Sequence, residues 1–238
     1  MELLSAFAII GLAALIHASF QLSVSVLTLL SGHAIGASRS HAKLLRLSSG
    51  FIFGAGVMTL LLLSTLSLVF VNVLNGALLQ VAWVLTCGLL LGVGIAVWMF
   101  YYRKDKGTSL WIPRGIADHL TERTKAAKRS AEAFGLGMTS VVGELLFVIA
   151  PLVVSALIVI QLPLIWQLVA IATYVLVSLL PLLIVMVLLG SGRKLSQIQK
   201  WREKNKRFLQ FAAGSGLLVL AGFIYVYEVV AVISGTSL

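Results

Sequence analysis

The chain has 238 residues, of which 60% are hydrophobic and only 11% are charged, and its mean hydropathy is +1.06. A soluble domain of this composition would have too few polar side chains to cover its surface, so the composition excludes a soluble globular protein and indicates a polytopic membrane protein. The formal net charge is +10. Because the basic residues lie beside apolar segments, this charge favours contact with anionic lipid headgroups and excludes nucleic acid as the expected partner.

Six apolar segments are long enough to cross a hydrocarbon core, which takes about 20 helical residues. We therefore predict an all-α, polytopic integral membrane protein with six transmembrane helices. The first segment is expected to be a retained span and not a signal peptide, since no Lys or Arg precedes it. The predicted spans cover residues 4–30, 48–72, 78–101, 135–160, 164–190 and 208–230.

The basic residues predict how the chain is oriented. All 18 Lys and Arg fall in the first, third and fifth connections between spans. The cytoplasmic excess of Lys and Arg then puts loops 31–47, 102–134 and 191–207 in the cytoplasm, and both termini outside the cell membrane. The residues expected to contact lipid headgroups or a protein partner are Arg103, Lys104, Arg114, Arg123, Lys125, Lys128, Arg129, Arg193, Lys194, Trp201 and Arg202.

The central loop, 102–134, is the only connection long enough to form structure of its own. Ile116, Leu120 and Ala127 recur at helical spacing opposite a basic face, which predicts a short helix lying on the inner leaflet. A docking surface for a cytoplasmic protein is the alternative interpretation of the same pattern.

Polar residues interrupt the first span and the fourth. On one continuous helix, offsets of three and four residues bring side chains to a common face. The candidate substrate or proton site on these two faces consists of His17, Gln21, Ser25 and Thr28 in the first span and Ser140, Glu144 and Pro151 in the fourth.

Glu144 is the strongest candidate in this set because it is the only carboxylate near the centre of a predicted span. A charge there costs about 2.5 kcal/mol or more unless it is paired, hydrated or protonated, and no Lys or Arg lies in a predicted span to pair with it. His17 is equally well explained as a hydrogen-bonding group between helices, and for Gln21 this structural interpretation is favoured. A metal site is not expected, since His17 and Glu144 are too few ligands, and no cofactor is expected either.

Small residues and prolines suggest how the spans pack. Gly50 with Gly54, and Gly88 with Gly92, form pairs that let neighbouring helices approach closely. Pro151 and Pro181 lie inside predicted spans and are expected to bend them.

The six spans can be divided into two repeats of three, which the odd number of helices per repeat would orient in opposite directions. This predicts a first repeat over 1–101, the basic loop 102–134, and a second repeat over 135–238, with a site near the membrane midplane between them. In this layout the chain resembles the lysine exporter (LysE) superfamily. The resemblance implies export of a small solute or ion through a site on spans one and four, here His17, Gln21 and Glu144. Thr28 stands where a first-span proline would match that family.

The leading hypothesis is thus a secondary transporter, with an exporter as the expected direction and Glu144 as a proton-coupling group. The alternative is a membrane subunit or scaffold, or a protein that handles a lipid-linked substrate, with the basic loops as docking surfaces for a membrane or cytoplasmic partner. A homo-oligomer is compatible with both. An enzyme is not expected, since the sequence has no HExxH, GxSxG or phosphate-binding loop.

Overall fold

A computed structural model describes residues 2–20, 22–38, 41–75, 77–101, 114–191 and 195–230. Every regular element in these ranges is a helix. They are α1 (Leu3–Ser19), α2 (Leu22–Ser38), α3 (His41–Val73), α4 (Ala77–Phe100), α5 (Arg114–Ala126), α6 (Ser130–Val159), α7 (Leu164–Ser178), α8 (Leu180–Gly190), α9 (Leu195–Ile224) and a final π-helical segment, Tyr225–Val230.

The described residues contain four single helices that are long and apolar enough to cross a membrane, namely Ala42–Val73, Leu78–Phe100, Ser130–Val159 and Ser196–Val230. Two further candidates are bent pairs, α1 with α2 at 49° and α7 with α8 at 45°, so the number rises to six if each pair is one span. The predictions of one continuous helix over 4–30 and another over 164–190 are therefore wrong, because each of these segments is broken.

The two breaks differ in their local chemistry. At the second break, Pro181 stands in the first turn of α8, where a residue without an N–H group is tolerated. At the first break, α1 ends in Phe20, whose backbone is extended at φ −75° and ψ 147°. The Phe20 N–H and the Ser19 hydroxyl cap α1 by donating to the carbonyl oxygens of His17 and Ile16, at 3.1 and 2.6 Å. No proline or glycine stands at this break.

Helix α6 lies at the centre of the bundle. In the most apolar stretch of 18 residues, 72% of this helix is buried, compared with 33–39% for the same stretch of the other three single-helix candidates. Helix α6 packs against α1, α2, α3 and α4. It runs through Pro151 as one helix from Ser130 to Val159. The predicted bend at Pro151 thus does not divide this helix, whereas the one predicted at Pro181 coincides with a break.

Glycines bring α3 and α6 into backbone contact. A Cβ atom at Gly54 would overlap the carbonyl oxygen of Phe134, and one at Gly137 would overlap the carbonyl oxygen of Phe51. A Cβ at Gly50 would lie 2.8 Å from the carbonyl oxygen of Ser130. The close approach predicted for Gly50 and Gly54 is therefore present.

The second predicted glycine pair has no such role in the structure. A Cβ at Gly88 or Gly92 would meet no atom within 4 Å. On α4 it is Gly94 that meets a neighbouring helix, since its Cβ would lie 3.3 Å from the Gly214 carbonyl oxygen of α9.

Helix α5 forms where the central loop was predicted to contain a short helix. Its Leu120 side chain is buried, and the helix packs on α2 and α6. The bundle therefore covers α5 at Leu120.

Candidate functional site

The side chain of Glu144 lies against the first turn of α2. Its Oε1 atom accepts hydrogen bonds from the backbone N–H groups of Leu22 and Ser23, the latter at 3.3 Å. Its Oε2 atom accepts a hydrogen bond of 2.9 Å from the Ser23 hydroxyl. The first N–H groups of a helix have no partner within it and carry a partial positive charge. The carboxylate thus satisfies the backbone groups that the break between α1 and α2 exposes.

Ser140 extends this contact one turn along α6. Its hydroxyl lies 3.1 Å from the Ser23 hydroxyl and 2.8 Å from the Gly137 carbonyl oxygen. Glu144 and Ser140 are both buried, at 3% and 0% exposure. One face of α6 therefore holds the start of α2 through two consecutive turns.

Arg202 also reaches this region, although the sequence placed it among the cations that face lipid headgroups. That interpretation is wrong, since the side chain is only 3% exposed. Its Nη2 atom donates to the Ser25 hydroxyl of α2 at 2.7 Å, and the guanidinium acts electrostatically on Glu144. Arg202 lies outside the predicted sixth span, 208–230, but α9 begins 13 residues before that span and brings this cation inward, so the expectation that no cation would be near Glu144 to pair with it is not met.

His17 pairs with a residue of another helix. Its Nδ1 atom lies 3.0 Å from the hydroxyl oxygen of Tyr174 on α7, and both side chains are buried. Among the described residues, this is the one hydrogen bond that the structure gives the imidazole. The interpretation of His17 as a hydrogen-bonding group between helices therefore accounts for one of its two ring nitrogens.

A small cavity lies between His17 and Glu144. Its volume is about 20 Å³, enough for about one water molecule. Both helix breaks contribute to its wall: Phe20 and Ser23 flank the first break, and Leu179 and Pro181 flank the second. The two interruptions of the helical backbone thus meet at one polar cavity.

An aromatic cluster closes the first break on another side. Phe20 stacks on Phe147 of α6, with ring centroids 5.8 Å apart, and meets the edge of Tyr101 at 5.4 Å. Tyr101 and Phe147 are themselves perpendicular at 5.0 Å. Aromatic rings of this size bury much apolar area, so the cluster fixes the position of the extended residue Phe20.

The remaining predicted site residues are distributed as follows. Ser25 accepts from Arg202, whereas the Thr28 hydroxyl donates to the Ser25 carbonyl oxygen at 2.8 Å within its own helix. Pro151 is buried two turns beyond Glu144 and does not line the cavity. Gln21 lies outside the described residues. The single face predicted for the first span does not exist as such, because the break turns the residues of α2 away from the line of α1.

The other residues predicted to contact lipid headgroups or a partner are distributed as follows. Arg123, Lys125, Lys128, Arg129 and Trp201 are exposed, and Arg114 begins α5. Arg103, Lys104, Arg193 and Lys194 lie outside the described residues.

The sequence analysis missed Ser23, Tyr174 and the inward course of Arg202. Ser23 has a visible signal, since it is one of three polar residues in "SFQLS" within an apolar run. Tyr174 stands alone in an apolar segment and gives no such signal.

No group of three or more His, Cys, Asp or Glu side chains that could hold a metal ion occurs in the part of the chain that the structure describes. Comparison with known proteins gives no match, since neither a protein-family model nor a curated protein nor a solved structure is significantly similar to this chain. The resemblance to the LysE superfamily stays a prediction.

Proposed function

We propose that this chain is a secondary transporter of a small solute or ion, with its site in the cavity between His17 and Glu144. In this proposal each bent pair is one span, which gives six spans in the cell membrane. The positive-inside rule then orients the basic loops toward the cytoplasm and both termini outward. Export is the direction that the resemblance to the LysE superfamily implies.

The observation that carries the proposal is the start of α2 against the Glu144 carboxylate. Backbone that leaves helical geometry inside a membrane is tolerated only where protein or a water-filled cavity satisfies its polar groups. Transporters use such discontinuous helices to build their sites, because the exposed helix ends bind charged groups. Here the exposed N–H groups of Leu22 and Ser23 meet a carboxylate beside a cavity.

The second break supports the same proposal. Ser178, Leu179 and Pro181 line the same cavity. A transporter has to open its site to each side of the membrane in turn, and helix breaks are natural positions for the hinges of that motion. Two breaks that share one cavity place both hinges next to the proposed site.

The proposed site does not require the predicted inverted repeat. A repeat of three spans would pair the first span with the fourth, yet the two breaks lie in the first and fifth candidate spans and α6 is continuous. The repeat therefore stays a prediction, and the proposed site does not depend on it.

Reconstitution tests the proposal directly. The full chain is placed in liposomes that contain a trapped pH-sensitive dye, and gradients of inorganic ions, small carboxylates and amino acids are applied in turn. We expect at least one gradient to drive a proton flux that protein-free liposomes lack. Glu144→Gln should lower this flux by at least about tenfold, since a proton-transfer group contributes on the order of 10² or more to a rate.

Glu228→Gln is the matched control. Glu228 is a carboxylate in the final π-helical segment, away from the cavity, so this variant should transport like the native chain. If no gradient drives a protein-dependent flux, and native mass spectrometry instead finds a stoichiometric protein partner, the chain is a membrane subunit and the proposal is wrong.

A further inference from the structure

The surroundings of Glu144 indicate which class of solute would bind there, if the proposed transport function is correct. Within the described residues, the hydrogen bonds to its two oxygen atoms all come from donors, namely two backbone N–H groups and the Ser23 hydroxyl. The positive end of the α2 dipole and the guanidinium of Arg202 add to this field. Glu144 therefore occupies a site built for an anion.

The hydrogen bonds from these donors weaken when Glu144 takes up a proton. A neutral carboxyl group is a poorer acceptor, and one of its oxygens becomes a donor. Buried N–H groups that are poorly satisfied are costly. A solute anion that replaced the carboxylate would satisfy them again, so protonation of Glu144 and arrival of an anion favour each other.

The cavity beside Glu144 provides a second, independent indication of a ligand. His17 lines it and is only 6% exposed, and among the described residues only its Nδ1 atom has a hydrogen-bond partner. The second ring nitrogen has no such partner in this part of the chain, so a ligand in the cavity that His17 lines can bind to it. Ser23 and Ser178 line the same space.

We propose that the solute is a small monovalent oxyanion, a monocarboxylate or an inorganic ion of similar size, which displaces the Glu144 carboxylate from the start of α2 when Glu144 is protonated. The size follows from the cavity, which at about 20 Å³ leaves room only for a group that also takes the space of the carboxylate. One proton enters with one negative charge, so the exchange leaves the net charge of the site unchanged.

The other ionisable groups around Glu144 are compatible with this exchange. His17 faces it across the cavity from α1, and Arg202 approaches from α9. Tyr174 of α7 contacts His17, and Tyr101, the residue after α4, packs on Phe147 one turn along α6. Within the described residues no second carboxylate lines the cavity, so Glu144 is the acid that the anion has to replace.

Binding to the purified full chain in detergent tests the inference. Sodium lactate and sodium nitrate are titrated at pH 5 and pH 8, and binding is read from the unfolding temperature, which a ligand of the folded state raises. For the native chain we expect at least tenfold tighter anion binding at pH 5. A single coupled proton allows up to about tenfold for each pH unit.

Glu144→Gln removes the competing charge for good. This variant should bind the anions at both pH values, with affinities that differ by less than twofold, whereas the control Glu228→Gln should keep the pH dependence of the native chain. If Glu144→Gln does not fold, the pH dependence of the native chain decides the question alone.

The outcomes separate this inference from the transport proposal. A different outcome is binding that depends on the sodium concentration and not on the identity of the anion. If such binding strengthens at pH 8 and is lost in Glu144→Gln, it would overturn the inference that the solute is an anion while supporting a Glu144-dependent transporter. Anion binding with the same affinity at both pH values in the native chain would overturn the displacement of Glu144. Absence of any ion binding, together with absence of flux in liposomes, would overturn both proposals.

Discussion

Replacing Gly54 by alanine should separate α3 from α6 and destabilise the protein. The added methyl group would overlap the carbonyl oxygen of Phe134, which belongs to a helix backbone and cannot rotate away. The two helices would have to move apart along a contact that Gly137 makes equally close from the other side. Overpacking of this kind costs about 1–3 kcal/mol, and we expect the upper end of that range because neither partner is a flexible side chain.

The matched control is Gly88→Ala on α4. A methyl group there meets nothing within 4 Å, so it should gain the helix propensity of alanine over glycine, about 0.5–1 kcal/mol. The two chemically identical substitutions should thus differ in sign, and by about 3–4 kcal/mol in total.

Unfolding of the detergent-solubilised chain by sodium dodecyl sulfate, followed by circular dichroism, measures both free energies under the same conditions. The Gly54→Ala and Gly88→Ala effects should add in the double variant, since the sites share no partner. Equal stability of the two single variants would refute the close contact between α3 and α6.

Two further pairs of substitutions test the polar contacts. His17→Phe and Tyr174→Phe, alone and combined, should give a coupling free energy of about 0.6 kcal/mol, the average for polar contacts between membrane helices, and strictly additive effects would show that the two groups do not interact. Arg202→Gln should lower the unfolding free energy by about 2 kcal/mol because it removes a buried charged hydrogen bond, whereas exposed Arg207→Gln should change it by less than about 0.5 kcal/mol. Equal effects of these two arginine variants would mean that Arg202 is not held in the bundle.

The helices could be predicted from the sequence because their cause is local. An apolar run of sufficient length has to satisfy its backbone within itself, and a helix does this at any such position in a membrane. Glu144 was predictable for a related reason, since a carboxylate among apolar neighbours is costly wherever the chain folds.

The first break could not be predicted in the same way because its cause is distant. The Leu22 N–H group is satisfied by a residue 122 positions further along the chain, and no local pattern contains that partner. Arg202 was misplaced for a similar reason. The sequence shows that Arg202 precedes the apolar part of the sixth predicted span. The length of α9 and the contact between Arg202 and Ser25, however, depend on how the helices pack.

Protonation of Glu144 affects only one of the two helix breaks at the cavity, and this difference predicts which helix moves first. The break before α8 contains Pro181, whose ring removes a donor under all conditions. The break before α2 is held instead by Glu144, whose acceptor capacity depends on its proton. Protonation therefore weakens the contacts of one break and leaves the other unchanged. A motion that begins at the cavity should accordingly start with α2, while α7 and α8 keep their bend.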